Sequence, residues 1–188
     1  TEASYSPTHS WADSPGGNYA NNRNVSITSP VWNFNGYTGV TLSFRHIYDL
    51  ENTWDFGYVE YSTNGGSTWT TAASFTGTGH LAWTGVELPL AALDGQAGAR
   101  LRFRFYSDTS YVYDGWHVDD IRVIASAPPL AGDLNGDGVV DGADVQILAA
   151  FLAGDWAGLP MGNASGDLNA DAAVDPLDLV RLMVMLVD

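Results

Sequence analysis

One string occurs twice, and nothing else in the chain limits its folding so tightly. Gly132-Asp-Leu-Asn-Gly-Asp-Gly-Val-Val-Asp-Gly-Ala-Asp144 returns 34 residues later as Gly166-Asp-Leu-Asn-Ala-Asp-Ala-Ala-Val-Asp-Pro-Leu-Asp178. Each copy runs into an apolar, helix-like stretch, residues 145–152 after the first and 179–187 after the second. The C-terminal part must therefore fold as two units of one design, each a polar loop leading into a helix.

The spacing of the acids gives the loops a chemistry. In the first, Asp133, Asn135, Asp137, Asp141 and Asp144 stand at positions 1, 3, 5, 9 and 12, and Val139 at position 7 offers its carbonyl. Gly138 occupies position 6, where the turn is sharpest. The second offers Asp167, Asn169, Asp171, Asp175 and Asp178, with the Ala173 carbonyl. Calcium takes six to eight hard oxygens, and alternate residues of a tight loop deliver them. Ala172 stands at position 6 of the second loop. A left-handed backbone there costs Ala about 1 kcal/mol, so the second site is expected to bind more weakly. Without metal the four aspartates of each loop repel, and this half is expected to unfold.

The rest of the chain has another composition. Residues 1–124 hold 21 of the 23 aromatics. Between the two parts lies Ala125-Ser126-Ala127-Pro128-Pro129, a short stiff connector biased to extended backbone. We place the domains at 1–124 and 131–188, with a linker at 125–130. In the first, Val40, Leu42, Phe44, His46 and Tyr48 alternate with Thr41, Ser43, Arg45 and Ile47, and Leu101, Phe103 and Phe105 alternate with Arg100, Arg102 and Arg104. Period two over short runs, broken by Asn64-Gly65-Gly66, Gly77-Thr78-Gly79 and Asp94-Gly95, predicts an antiparallel sandwich or jelly roll. Trp116 and Val118 share one face, yet Ile121 and Val123 are out of step with them by one residue. A bulge at Asp119–Asp120 absorbs that slip and aims one carboxylate inward, where it needs a cation or several donors.

Two resemblances follow. Paired loops 34 residues apart, each with Asp at position 12, resemble a type I dockerin over about residues 131–187. The resemblance implies a small all-α domain with paired EF-hand-like calcium loops, holding two calcium ions, that plugs into a cohesin on another protein. In the family, loop positions 10 and 11 help set partner choice; here they are Gly142 and Ala143, then Pro176 and Leu177, which differ from the Ser/Thr pair of the best-known cellulosomal examples. The second resemblance rests on His9-Ser-Trp-Ala-Asp-Ser-Pro-Gly-Gly-Asn-Tyr-Ala-Asn-Asn22, Asp49-Leu-Glu51, Asp55-Phe-Gly-Tyr-Val-Glu60 and Asp114-Gly-Trp-His-Val-Asp-Asp-Ile121. Residues 6–124 are similar to the accessory, MAM-like jelly-roll module that follows the catalytic domain of bacillopeptidase F-like and immune inhibitor A-like secreted peptidases. Such modules are not catalytic, and they often hold a structural calcium. Asp13, Glu51, Asp55 and Asp119 are the acids in or beside the matched motifs, and one further ion is expected there.

The helix that follows the second loop adds an independent argument. From Leu177 to Val187 the polar residues are Asp178 and Arg181. A helix apolar all round needs burial on most sides, and a domain this small has little core to give it. Leu177, Val180 and Val184 form the face expected to meet a partner, with Leu179, Leu182, Met183 and Leu186 packed inward.

Catalysis finds little support. No His-Glu-x-x-His and no Gly-x-Ser-x-Gly is present, and Glu60 and Glu87 occupy strand positions that suit solvated acids. A net charge of −15 argues against nucleic acid and anionic lipid, no apolar run nears the roughly 20 residues of a membrane helix, and the absence of Cys excludes disulfides and thiolate metal sites. The chain is expected to be a piece of a larger secreted precursor, extracellular or attached to a cell surface. Its function is then assembly through a cohesin in trans. The alternative is a polysaccharide-binding jelly roll, with Trp54 or Trp83 as stacking platform, capped in cis by the calcium-stabilised dockerin.

Overall fold

The computed structural model describes residues 4–128, 130–154 and 166–187. The chain forms two compact units that divide between Ala127 and Pro128. Pro129 of the expected linker lies outside the described residues.

The first unit is β throughout. Its strands are β1 (Trp11–Ala12), β2 (Asn24–Thr28), β3 (Thr38–Asp49), β4 (Phe56–Ser62), β5 (Thr70–Phe75), β6 (His80–Pro89), β7 (Arg100–Tyr106) and β8 (Gly115–Ser126), with one 3-10 turn at Ala91–Leu93. They form two four-stranded sheets, β1-β8-β3-β6 and β2-β7-β4-β5, and every pairing is antiparallel. The period-two runs explain the layering. Val40, Leu42 and Phe44 of one sheet and Val59, Leu101 and Phe103 of the other are buried in a common core. Trp116 is completely buried there, edge-on to Trp11 and tilted against Phe103 and Phe75. A side chain of this size contributes roughly 1.5–3 kcal/mol or more on burial. Its ring lies so close to β4 that a Cβ at Gly57 would sit 2.6 Å from it, which only glycine avoids.

The slip expected in β8 is present. Ser43 faces Arg122 and Arg45 faces Asp119, so β8 carries one extra residue, Asp120, at φ 50°. Asp119 lies opposite Arg45 on the outer face, where it is 8% exposed because Tyr5 and Ser6 cover it, and Asp120 faces solvent, so neither carboxylate turns into the core as expected.

In the second unit two helices are described, α1 (Gly142–Leu152) and α2 (Pro176–Met185). Each begins with a reciprocal capping box. The Asp141 side chain accepts from the first turn while Asp144 reaches back to the Asp141 N–H, and Asp175 and Asp178 repeat the arrangement. Leu134, Leu148 and Leu182 are fully buried and form the centre, with Val140, Val145, Leu168, Val174 and Leu179 around them. No helix among the described residues is long and apolar enough to cross a membrane.

Candidate metal-binding loops and the exposed helix face

The two loops are near copies in atomic detail. In the first, Asp133 Oδ1 accepts from the Gly136 N–H at 2.7 Å and Asp133 Oδ2 from the Gly138 N–H at 2.9 Å. Asn135 Oδ1 accepts from the Asp137 N–H, and Asp137 Oδ1 from the Val139 N–H, both at 2.9 Å. In the second, Asp167 Oδ2 accepts from the Ala172 N–H, Asn169 Oδ1 from the Asp171 N–H and Asp171 Oδ1 from the Ala173 N–H, all at 2.9 Å. Asp144 closes the first loop by accepting from the Leu134, Asn135 and Asp141 N–H groups; Asp178 closes the second through Leu168, Asn169 and Asp175. Both closing carboxylates are fully buried. Burial raises their pKa, and the backbone N–H donors, each residue's own among them, outweigh it, so each is held below the usual carboxylate range. The loops thus concentrate carboxylate, amide and carbonyl oxygens, with neither sulfur nor imidazole. That donor set fits a hard divalent cation.

The backbone shows why the first loop needs glycine. Gly136 and Gly138 hold φ of 77° and 85°, in the left-handed region. Ala170 and Ala172 take the same conformation at 63° and 70°. The strain expected at Ala172 is therefore present, and a second instance at Ala170 was not foreseen.

The residues expected to meet a partner all face solvent. Gly142, Ala143 and Pro176 are exposed, and Leu177, Val180 and Val184 are 62, 58 and 52% exposed. Of the four residues expected inward, Leu182 is buried and Leu179 packs against the centre. Met183 and Leu186 do not follow: they are 52 and 40% exposed, because α1 covers one side of α2 and that side ends near Leu182.

In the sandwich the expected acids are not gathered into one place. Glu51 and Asp55 meet Asp108, their oxygens within 4.8 Å of one another. Asp55 is fully buried, accepting from the Tyr19 hydroxyl at 2.5 Å and from the Asp108 N–H at 2.8 Å. Burial pushes the Tyr19 hydroxyl up, as does its bond to Asp55. Burial and the neighbouring Asp108 and Asp55 raise Glu51. Asp119 stands apart, its carboxylate taken by the N–H groups of Tyr5, Ser6 and Asp120 and by the Ser6 hydroxyl. Asp13 is also apart, accepting from the Trp116 N–H at 2.6 Å. Burial raises its pKa, and Gly115, at φ 107°, is the residue that lets it approach so closely.

Glu60 corrects another expectation. It is not a solvated strand acid: it is 5% exposed and bridges Arg102 at 2.6 Å and Arg104 at 2.9 Å. Burial raises its pKa, and the two guanidiniums outweigh burial and lower it. Those guanidiniums also lie over the Trp69 and Tyr58 rings. Glu87 belongs to β6 of the other sheet, so the two glutamates do not form a pair. Trp54 is 60% exposed, whereas Trp83 is half-buried against Tyr5.

Residues 131–187 match the Dockerin type I domain. The chain is also 32% identical over 105 residues to bacillopeptidase F of Bacillus subtilis (strain 168); the match covers 56% of this chain and 7% of that protein, so the chain spans a small part of its relative's length. Among solved structures it is similar to TmCBM61 in complex with beta-1,4-galactotriose, at 14% identity and a TM-score of 0.38, covering 57% of this chain and 68% of that one. It is similar to the K2 cleaved adhesin domain of Lys-gingipain at 15% identity and a TM-score of 0.36, covering 53 and 62%. At these identities and scores neither likeness bears on function.

Proposed function

We propose that this chain is a non-catalytic, calcium-binding portion of a secreted modular enzyme, whose C-terminal unit docks a cohesin domain in trans. The observation that carries the reading is the pair of copied loops, each capped into a helix, the second of which leaves Leu177, Val180 and Val184 uncovered. In the first loop Asp133, Asn135, Asp137, Asp141, Asp144 and the Val139 carbonyl would hold one EF-hand-like calcium. In the second Asp167, Asn169, Asp171, Asp175, Asp178 and the Ala173 carbonyl would hold another. A bound ion neutralises aspartates that otherwise repel, and so fixes the helices that present the docking face. Gly142, Ala143, Pro176 and Leu177 flank that face and would tune partner choice. The β unit is an accessory module of jelly-roll, MAM-like kind, a reading supported by its strand order and by the match to a peptidase. Its third calcium moves from the set expected in sequence to Glu51, Asp55 and Asp108.

Native mass spectrometry during a calcium titration tests the metal reading. Two tightly held ions are expected, with a third lost from a Glu51→Gln/Asp108→Asn variant. A chain that binds no calcium refutes it. The second reading, in which the β unit binds polysaccharide and the C-terminal unit caps it in cis, rests on exposed Trp54. It requires that Trp54→Ala abolish glycan retention in affinity electrophoresis.

A further inference from the structure

One face of the sandwich carries the opposite charge from the chain as a whole. The strands of the sheet β2-β7-β4-β5 hold three Arg and a single acid, Glu60, in a chain of net charge −15. Register puts all four charges on one side. Leu101, Phe103 and Phe105 fill the interior, so Arg100, Arg102 and Arg104 point outward. Two rows of side chains then cross the outer face, Ser26–Arg104–Tyr58 and Thr28–Arg102–Glu60. Ser26 and Thr28 are exposed, and Tyr106, next along β7 on this face, is 39% exposed. The guanidiniums are set in place beforehand. Glu60 accepts from Nε of Arg102 and from Nε and Nη2 of Arg104, while the Trp69 and Tyr58 rings back them at 4.2 and 4.3 Å. Among the described residues, both Nη groups of Arg102 and Nη1 of Arg104 have no acceptor. Arg100 is spent on the Ser29 and Gly65 carbonyls. The residues before β1 lie over the other sheet, where Tyr5 meets Trp83 and Arg45.

We propose that this face binds an acidic polysaccharide, a sugar chain that bears a carboxylate on some of its units. The remaining guanidinium N–H groups form a fork that fits a planar carboxylate, already aligned by Glu60 and by the rings behind it. The Ser26 and Thr28 hydroxyls, one strand or roughly 5 Å away, suit sugar hydroxyls. The Tyr106 ring, two residues or roughly 7 Å beyond Arg104, offers an apolar surface to a pyranose. An acidic peptide fits less well. β7 and β4 are paired on both flanks, so its backbone would find no ladder to join. The chain's distant acids oppose the ligand weakly, because charges beyond about 8–10 Å are screened at physiological salt. The proposal is independent of the cohesin reading and of Trp54, which lies outside this sheet.

The test titrates the full, calcium-loaded chain with a hyaluronan octasaccharide, which carries a uronate on every second sugar, and follows it by NMR. Saturable shifts are expected at the Nε–H signals of Arg102 and Arg104 and at the amides of β2 and β7. The methyl ester of the same octasaccharide, and a blocked tetraglutamate of equal charge, should each bind more weakly by at least about tenfold. Glu60→Gln/Arg102→Gln/Arg104→Gln removes the acid with both guanidiniums, so no buried charge is left unpaired, and should weaken binding by more than about tenfold. If that variant does not fold, Ser26→Asp/Thr28→Asp, at two exposed positions, should do the same by repulsion. No saturation at millimolar octasaccharide, equal binding by the ester or by tetraglutamate, or shifts confined to other faces of the chain would each overturn the proposal.

Discussion

The second loop carries strain that glycine would relieve, and the amount can be worked out. Ala170 and Ala172 sit at φ 63° and 70°, where the first loop has Gly136 and Gly138 at 77° and 85°. A left-handed backbone crowds Cβ against the following carbonyl and costs roughly 1–2 kcal/mol per residue. Glycine returns part of that gain, because its freer unfolded chain costs about 0.4–1 kcal/mol. Over both residues, Ala170→Gly/Ala172→Gly should therefore stabilise the calcium-bound unit by a net of roughly 1.5 kcal/mol. Steric relief adds nothing by analogy with the first loop, where a Cβ at Gly138 would meet nothing within 4 Å. Since binding and folding are coupled in such loops, the gain should appear as an affinity about tenfold tighter at the second site. The reverse change, Gly138→Ala, should weaken the first site. Chelator-competition titrations that resolve the two sites measure both. Unchanged or weaker binding by the double glycine variant would refute the strain argument.

Three further outcomes are expected. Asp133→Ala removes the carboxylate that gathers the Gly136 and Gly138 N–H groups, so calorimetry should count one calcium fewer; an unchanged count would contradict the first loop's assignment. EDTA should lower the melting temperature of residues 131–187 and leave the larger part of the β unit's transition in place, since metal stabilises only the state that holds it; one coincident transition with and without chelator would favour the cis-capped reading. His46 is 3% exposed, accepts from the Trp116 indole N–H at 3.2 Å, and burial, followed by His80, lowers its pKa from 6.5 to about 4. The unfolded chain thus takes a proton on His46 below about 6.5 that the folded chain refuses until about 4. Stability should therefore fall by roughly 3 kcal/mol as pH drops through that window. Urea unfolding of His46→Gln, which keeps an acceptor for the indole, should show a flatter pH dependence; equal slopes would refute the assignment.

What could be read from the sequence followed from local period and spacing. The bulge at Asp119–Asp120 was legible because the apolar alternation itself slips there, and the loops because their acids recur at fixed offsets. Asp108 was not, because its meeting with Asp55 depends on register: Tyr106 pairs with Phe56, which brings the residues just beyond them together. Register likewise hid the burial of Glu60, which lies opposite Arg102 and beneath two guanidiniums from one strand. In α2 the difficulty was different. A helix apolar on all sides does not declare its inner face, so Met183 and Leu186 could not be told from Leu182.

If calcium builds a docking face on α2, type I cohesin domains should bind it, and the face itself can be removed. A panel of such cohesins should be titrated by calorimetry with the wild-type chain and with Val180→Asp/Val184→Asp. One-to-one binding of at least one cohesin is expected in calcium, none in EDTA, and none by the double variant, whose calcium binding and far-UV signal should be unchanged. Undiminished cohesin binding by that variant, or its failure to fold with calcium present, would contradict the claim.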